Sequence, residues 1–159
     1  MNEIIKSFKG FNNSIIEKQV FDEIMKTNEF SEEFSLKLSE NDVKEIIKTR
    51  NTALKISGRI EFNGQIITKI IKKFCDSSYI SQCNYMDTIN ELVEIFYNYK
   101  NETLDLIGDD ELIEIMKKYF EGYCQGSLEL LEGKVMYVIA DNVRKGMKNY
   151  ADIDNEKDY

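Results

Sequence analysis

The stretch Tyr85-Met86-Asp87-Thr88-Ile89-Asn90-Glu91-Leu92-Val93-Glu94-Ile95-Phe96-Tyr97-Asn98-Tyr99-Lys100-Asn101 decides how the rest of this sequence is read. Ile89, Leu92, Val93, Phe96 and Tyr97 recur at the i, i+3, i+4, i+7 spacing that lines one face of a helix with 3.6 residues per turn. The spacing predicts a helix over 85–101. The same period returns on both sides. Upstream, a helix over 63–75 turns Ile66, Ile67, Ile70, Ile71 and Phe74 inward and breaks in Cys75-Asp76-Ser77-Ser78. Before it, Ser39 followed by Asp42 reads as an N-cap opening a helix over 40–56, with Val43, Ile46, Ile47 and Leu54 on its apolar face and Gly58 placed to end it.

Ser14 with Glu17 forms a capping-box pattern for a first helix over 15–27, with Ile15, Ile16, Val20, Phe21 and Ile24 inward. Between these two helices Phe34, Leu36 and Leu38 alternate with polar residues, which predicts a packed extended linker. Downstream, Gly108-Asp109-Asp110 opens a helix to Phe120, its acidic first turn suited to the positive end of the helix dipole. Leu112, Ile115, Met116 and Tyr119 or Phe120 form its stripe. A last helix starts at Ser127 and carries Leu128, Leu131, Val135, Val138, Ile139 and Val143; Gly133 and Gly146 weaken it by roughly 1 kcal/mol each and mark either a close helix contact or a bend. The expectation is an all-α fold, an irregular bundle of five or six helices forming a single domain over 1–150, followed by an acidic, frayed tail over 151–159.

Composition narrows the chemistry. The 159 residues include no histidine, so the side chain that titrates nearest neutrality and most often binds metals is missing. No catalytic set, metal site or cofactor is implied. With 29 acidic against 21 basic residues the formal charge is −8, which argues against nucleic acid or an anionic membrane as a partner. The short runs Lys69/Lys72/Lys73 and Lys117/Lys118 read as solvated helix faces. No apolar stretch approaches the roughly 20 residues of a membrane span, and Met1–Asn13 lacks the apolar core of a signal peptide. Cys75, Cys83 and Cys124 form no CxxC pair, as expected of reduced thiols in the cytoplasm. Cys75 and Cys124, each beside an aromatic, read as small buried hydrophobes; if all three thiols are core residues they react slowly until the chain unfolds, whereas one fast native thiol reopens a nucleophile.

Eighteen lysines against three arginines make Arg50, Arg59 and Arg144 stand out. Where arginine persists, its planar fork is what the site requires. Arg50 falls on the apolar stripe of its helix, so it either snorkels, pairs inside with a carboxylate such as Glu61, Glu102 or Glu129, or captures an anion together with Arg59. Asp76, Ser77, Ser78, Tyr79, Gln125 and Ser127 gather polar groups at two helix breaks, which meet if the third and fifth helices end on the same side; capping is their plainer role. Paired carboxylates such as Glu91/Glu94, Glu111/Glu114 and Asp109/Asp110 follow no EF-hand spacing and read as outer helix faces. Phe74-Cys75-x-x-Ser78 and Tyr123-Cys124-x-x-Ser127 echo each other, but their flanks do not align, and the echo reads as coincidence.

The runs Phe74-Cys75-Asp76-Ser77-Ser78-Tyr79-Ile80, Ile95-Phe96-Tyr97 before Lys100-Asn101-Glu102, Asp109-Asp110-Glu111-Leu112-Ile113 and Cys124-Gln125-Gly126-Ser127-Leu128-Glu129 resemble a family of small all-helical bacterial proteins with a domain of unknown function. Arg50 and Gly58-Arg59-Ile60-Glu61-Phe62 are similar to that family too, and the resemblance spans roughly 40–132. It implies neither substrate nor catalytic residues. The leading expectation is a non-enzymatic cytoplasmic interaction or regulatory protein that offers a helical face or groove to a protein partner or to a second copy. The competing expectation is binding or turnover of a small anionic ligand at Arg50, Arg59 and the polar breaks near Asp76 and Gln125.

Overall fold

The computed structural model describes residues 15–153, and no strand occurs among them. Helix α1 spans 15–25 and is followed by the short α2 (Asn28–Ser31), which tightens into a 3₁₀ turn over Glu32–Phe34. Helix α3 (Glu40–Ser57) begins where Asp42 N–H donates to Ser39 Oγ (3.1 Å) and Ser39 N–H donates to Asp42 Oδ2 (2.9 Å), a complete capping box. It ends at Gly58, whose φ of +69° lets its N–H turn back to the Leu54 carbonyl. Helices α4 (Gln65–Phe74), α5 (Tyr85–Glu102) and α6 (Asp109–Glu121) follow. The chain then runs on through α7 (Leu128–Leu130), a π-helical stretch (Leu131–Met136) and α8 (Tyr137–Arg144).

The helices form two hairpins, α3–α4 and α5–α6, lying side by side in the same sense. At one end Lys37 N–H donates to Gln82 Oε1 (2.7 Å) and Gln82 Nε2 donates to the Lys37 carbonyl (2.8 Å), joining the segments that enter α3 and α5. At the other end Arg59, just past α3, pairs with Asp105, just past α5. Along α4 and α6 the pairs Lys69–Asp110 (2.8 Å), Lys73–Glu114 and Asp76–Lys117 (2.5 Å) advance together, so these two helices are parallel. Thus α3 packs on α5 and α4 on α6. Among the residues whose periodicity predicted a buried face, all five named on α4, all five on α5 and all of those on α6 are buried. Phe74 and Phe120 meet edge to face (5.4 Å between centroids) where the parallel helices end.

Two apolar positions depart from expectation. Ile15 is largely exposed because it precedes Ile24 by nine residues, two and a half turns, and so lies opposite the buried Val20/Ile24 stripe. Phe34 is also exposed: the left-handed Ser35 (φ +60°) ends its 3₁₀ turn, and extended packing starts only at Leu36 and Leu38. Ser14 of the expected capping box lies outside the described residues. Gly133 sits in the π-helical stretch with nothing within 4 Å of where a Cβ would be, so it marks a local distortion and not a close helix contact. There Tyr99 Oη donates to the Glu132 carbonyl (2.5 Å), satisfying an acceptor in a stretch whose hydrogen-bond ladder has widened. The chain remains anchored to residue 153, because Tyr119 Oη donates to the Ala151 carbonyl and accepts from Ile153 N–H.

Candidate functional site

Where α3 and α5 finish, two loops, 58–64 and 103–108, are held from beneath by charged groups. Arg50 is only 4% exposed. Its Nη2 donates to the carbonyls of Glu61 (3.0 Å) and Asn63 (2.7 Å), its Nη1 to Asn51 Oδ1 (3.0 Å), and its Nε lies 3.8 Å from Glu61 Oε2. Tyr97 of α5 donates to that same Glu61 oxygen (2.5 Å). Burial, reinforced by the Glu61 carboxylate, pushes the Tyr97 phenol far above its ordinary range. The far end of the loop is fixed by Gly64 N–H donating to Glu23 Oε2 of α1 (2.8 Å).

The second loop turns through two consecutive left-handed residues, Leu104 (φ +55°) and Asp105 (φ +59°), a conformation that surrounding contacts must hold. Buried Lys100 donates to the Ile107 carbonyl (2.7 Å) and pairs with Asp109 (2.9 Å), with Asp105 at 3.7 Å. Arg59 clips Asp105 to the first loop, and the hydrogen bond from its guanidinium holds the Asp105 carboxyl below the usual range.

Rigid loops here display apolar side chains. Ile56 (80% exposed), Ile60 (78%), Leu104 (69%), Phe62 (67%) and Leu106 (66%) are the five most exposed large hydrophobic residues described, and all belong to this end of the bundle.

The polar breaks lie at the opposite end. Because α4 and α6 are parallel, the breaks do meet: a Cβ on Gly126 (φ +83°) would fall 2.6 Å from Tyr79 Cβ, and the Tyr79 ring meets Phe120 edge to face. Their polar groups are engaged locally. Lys117 binds Asp76 (2.5 Å) and the Lys73 carbonyl (2.9 Å), Ser77 Oγ accepts from Tyr79 N–H (3.2 Å), and Ser127 Oγ caps α7 by accepting from Leu130 N–H (3.2 Å). Gln125 is exposed, with a left-handed φ of +47°. Arg50 and Arg59 are therefore brought together with each other's loops, and Asp76, Ser77, Tyr79, Gln125 and Ser127 with one another, but not the two groups as one site.

Cys75 and Cys124 are buried; desolvation lifts the Cys124 thiol to about 11 and, with Asp76 nearby, also raises that of Cys75. Cys83 does not share that burial: it lies exposed in the turn before α5, its Sγ 3.0 Å from Ser81 Oγ. Among the described residues no group of three or more acidic or cysteine side chains is arranged to hold a metal ion, and no helix is long and apolar enough to cross a membrane.

The sequence reading did not single out Ile56, Ile60, Phe62, Leu104 and Leu106. A signal was present: Ile60, Phe62, Leu104 and Leu106 stand between helices, close to Gly58 and Gly108, where an apolar side chain has no helix stripe to join. Fold and site together define an all-helical protein of side-by-side hairpins with a braced, apolar loop end. The chain belongs to a family of unknown function, DUF6323, whose family model matches residues 23–149 and so takes in both hairpins and both loops. No curated protein and no solved structure matches the chain.

Proposed function

We propose that this protein is a non-enzymatic interaction module that pairs with a second copy of itself through the apolar loop end. The observation that carries the reading is the set Ile60, Phe62, Leu104 and Leu106, exposed on loops that Arg50, Lys100 and Arg59 hold in place, with Ile56 exposed on the last turn of α3 beside them. Large side chains two-thirds or more exposed are the kind of surface that marks an interaction site. Loops already ordered lose little conformational entropy on docking. Charge does not oppose contact at this end, because Arg59 and Asp105 neutralise each other there although the whole chain carries −8. A cytoplasmic setting fits the three free thiols. Light scattering on purified protein tests the reading: a dimer that Ile60→Asp and Leu106→Asp each convert to a folded monomer supports it, and a wild-type monomer at tens of micromolar rejects it.

A second reading, capture of a small anion beside Arg50 and Arg59, draws on one observation. The Nε atoms of both arginines are buried without a hydrogen-bond partner, beside an open cleft that Lys55 also lines. The Glu61 carboxylate, 3.8 Å from Arg50 Nε, works against it. A rise in melting temperature with phosphate, sulfate or small carboxylates that Arg59→Ala abolishes supports this reading; no rise with any of them removes it.

A further inference from the structure

Between α1 and α3 runs an open groove of about 800 Å³, with Phe21 and Ile47 among its lining residues and Lys18, Lys44, Lys48 and Lys55 around it. These four lysines are exposed, and none has an ion pair among the described residues. Four other lysines, Lys69, Lys73, Lys100 and Lys117, each meet a carboxylate on another part of the fold. Only Glu17 and Glu40 offer acid along the groove, so it is locally basic in a chain of net charge −8.

Two ion pairs on the protein's own surface supply a template for what belongs there. On α4, Lys69 and Lys73 stand one turn apart and meet Asp110 and Glu114, likewise one turn apart on the parallel helix α6. On α3, Lys44 and Lys48 repeat that spacing, and Lys55 continues the edge two turns further along, a run of ~16 Å. Glu17 of α1 lines the same groove, but no ion pair joins a carboxylate to these lysines among the described residues. The acidic face of α6 in a second copy is the poorer candidate for this role, because Asp110 and Glu114 already pair with α4.

We infer that this groove docks an acidic amphipathic helix from a different protein. Its apolar face lies on Phe21 and Ile47, and its carboxylates, spaced one turn apart, meet Lys44 and Lys48, with Lys18 on the opposite edge. The contacts differ from those of the loop end, so docking here stands or falls independently of self-pairing.

The test uses the full-length protein and three fluorescent probes: a roughly 18-residue amphipathic peptide with glutamates one turn apart on its polar face, the same peptide with lysines in their place, and a single-stranded DNA of similar length. Anisotropy titrations at about 50 and about 500 mM salt compare wild type with a Lys44→Glu/Lys48→Glu variant. The acidic peptide is expected to bind wild type, to weaken by about tenfold or more at high salt and in the variant, and the variant is expected to favour the basic peptide. An unchanged circular dichroism melt shows that the reversals leave the fold intact; if the variant melts early, Lys18→Glu/Lys55→Glu replaces it with the same expectation. No binding of the acidic peptide at low salt, equal affinity for wild type and variant, or tighter binding of DNA than of peptide overturns the inference. Loss of dimerisation in the variant would hand the groove to a second copy, and also overturns it.

Discussion

Arg50→Ala is the substitution whose cost follows most directly from geometry. The guanidinium makes three hydrogen bonds, two to backbone carbonyls of the 58–64 loop and one to Asn51, and lies 3.8 Å from the Glu61 carboxylate. Hydrogen bonds to a charged group are worth about 1.5–3 kcal/mol each, but they do not add, and water replaces part of what is lost. Breaking a buried ion pair costs about 3–5 kcal/mol. Because the Glu61 side chain is 26% exposed, it recovers some hydration, which places the expected loss near the lower end, ~3 kcal/mol. With a urea dependence of ~2 kcal/mol per molar, the unfolding midpoint should fall by about 1.5 M. The melting temperature should drop by about 6–12 °C. Arg50→Lys should recover less than half, since a single ammonium cannot span the carbonyls of Glu61 and Asn63 while keeping Asn51. A midpoint for Arg50→Ala within about 0.3 M of wild type would refute the view that this arginine clamps the loop.

Three further outcomes follow from other parts of the structure. Gly126→Ala should destabilise by about 2–4 kcal/mol in urea unfolding, combining a left-handed φ of +83° with a Cβ placed 2.6 Å from Tyr79; a loss below about 0.5 kcal/mol would contradict that packing. Stability should decline above pH ~10, because the unfolded chain releases phenolic protons there while the fold retains them, with burial lifting Tyr85 to about 12 and Tyr97 higher still. The loss should continue as pH rises towards those folded-state values, and a flat urea midpoint between pH ~9 and ~11.5 would count against it. A thiol reagent should modify one cysteine quickly in the native protein, Cys83 by peptide mapping, and Cys75 and Cys124 only on unfolding; fast native modification of Cys124 would contradict its burial.

The sequence located the helices well because their apolar stripes are dense and their starts and stops carry chemistry of their own. Ser39, Asp42 and Gly58 bound α3 as their residue types predict. Burial of Arg50 was legible from its place on the stripe, four residues after Ile46, whereas its partner had to be chosen among Glu61, Glu102 and Glu129. In the fold Glu61 is beside it, and Glu102 instead binds Arg144 (3.0 Å). The side-by-side hairpins were not legible. They depend on pairs such as Lys69–Asp110 and Arg59–Asp105, more than 40 residues apart, and no local pattern encodes them. The echo of Phe74-Cys75 and Tyr123-Cys124, with unrelated flanks, falls just after the second helix of each hairpin. The π-helical stretch was hidden because Leu131 and Val135 suit an α-helix equally well. The loop end was missed for a general reason: exposure is a tertiary property, and an isoleucine or leucine in a loop looks the same whether it folds inward or, like Ile60 and Leu104, stands out in water.

The most direct test of the account is the oligomeric state of the intact protein. Size-exclusion chromatography with light scattering should give twice the chain mass of 18.6 kDa for wild type, and the monomer mass for Ile60→Asp and Leu106→Asp at unchanged helicity. Phe30→Asp, which likewise charges an exposed apolar side chain but on α2 beside the start of α3, at the opposite end of the bundle, should remain dimeric. A wild-type monomer at tens of micromolar, or a dimer indifferent to both loop substitutions, would contradict the proposal that the apolar loop end is where this protein pairs.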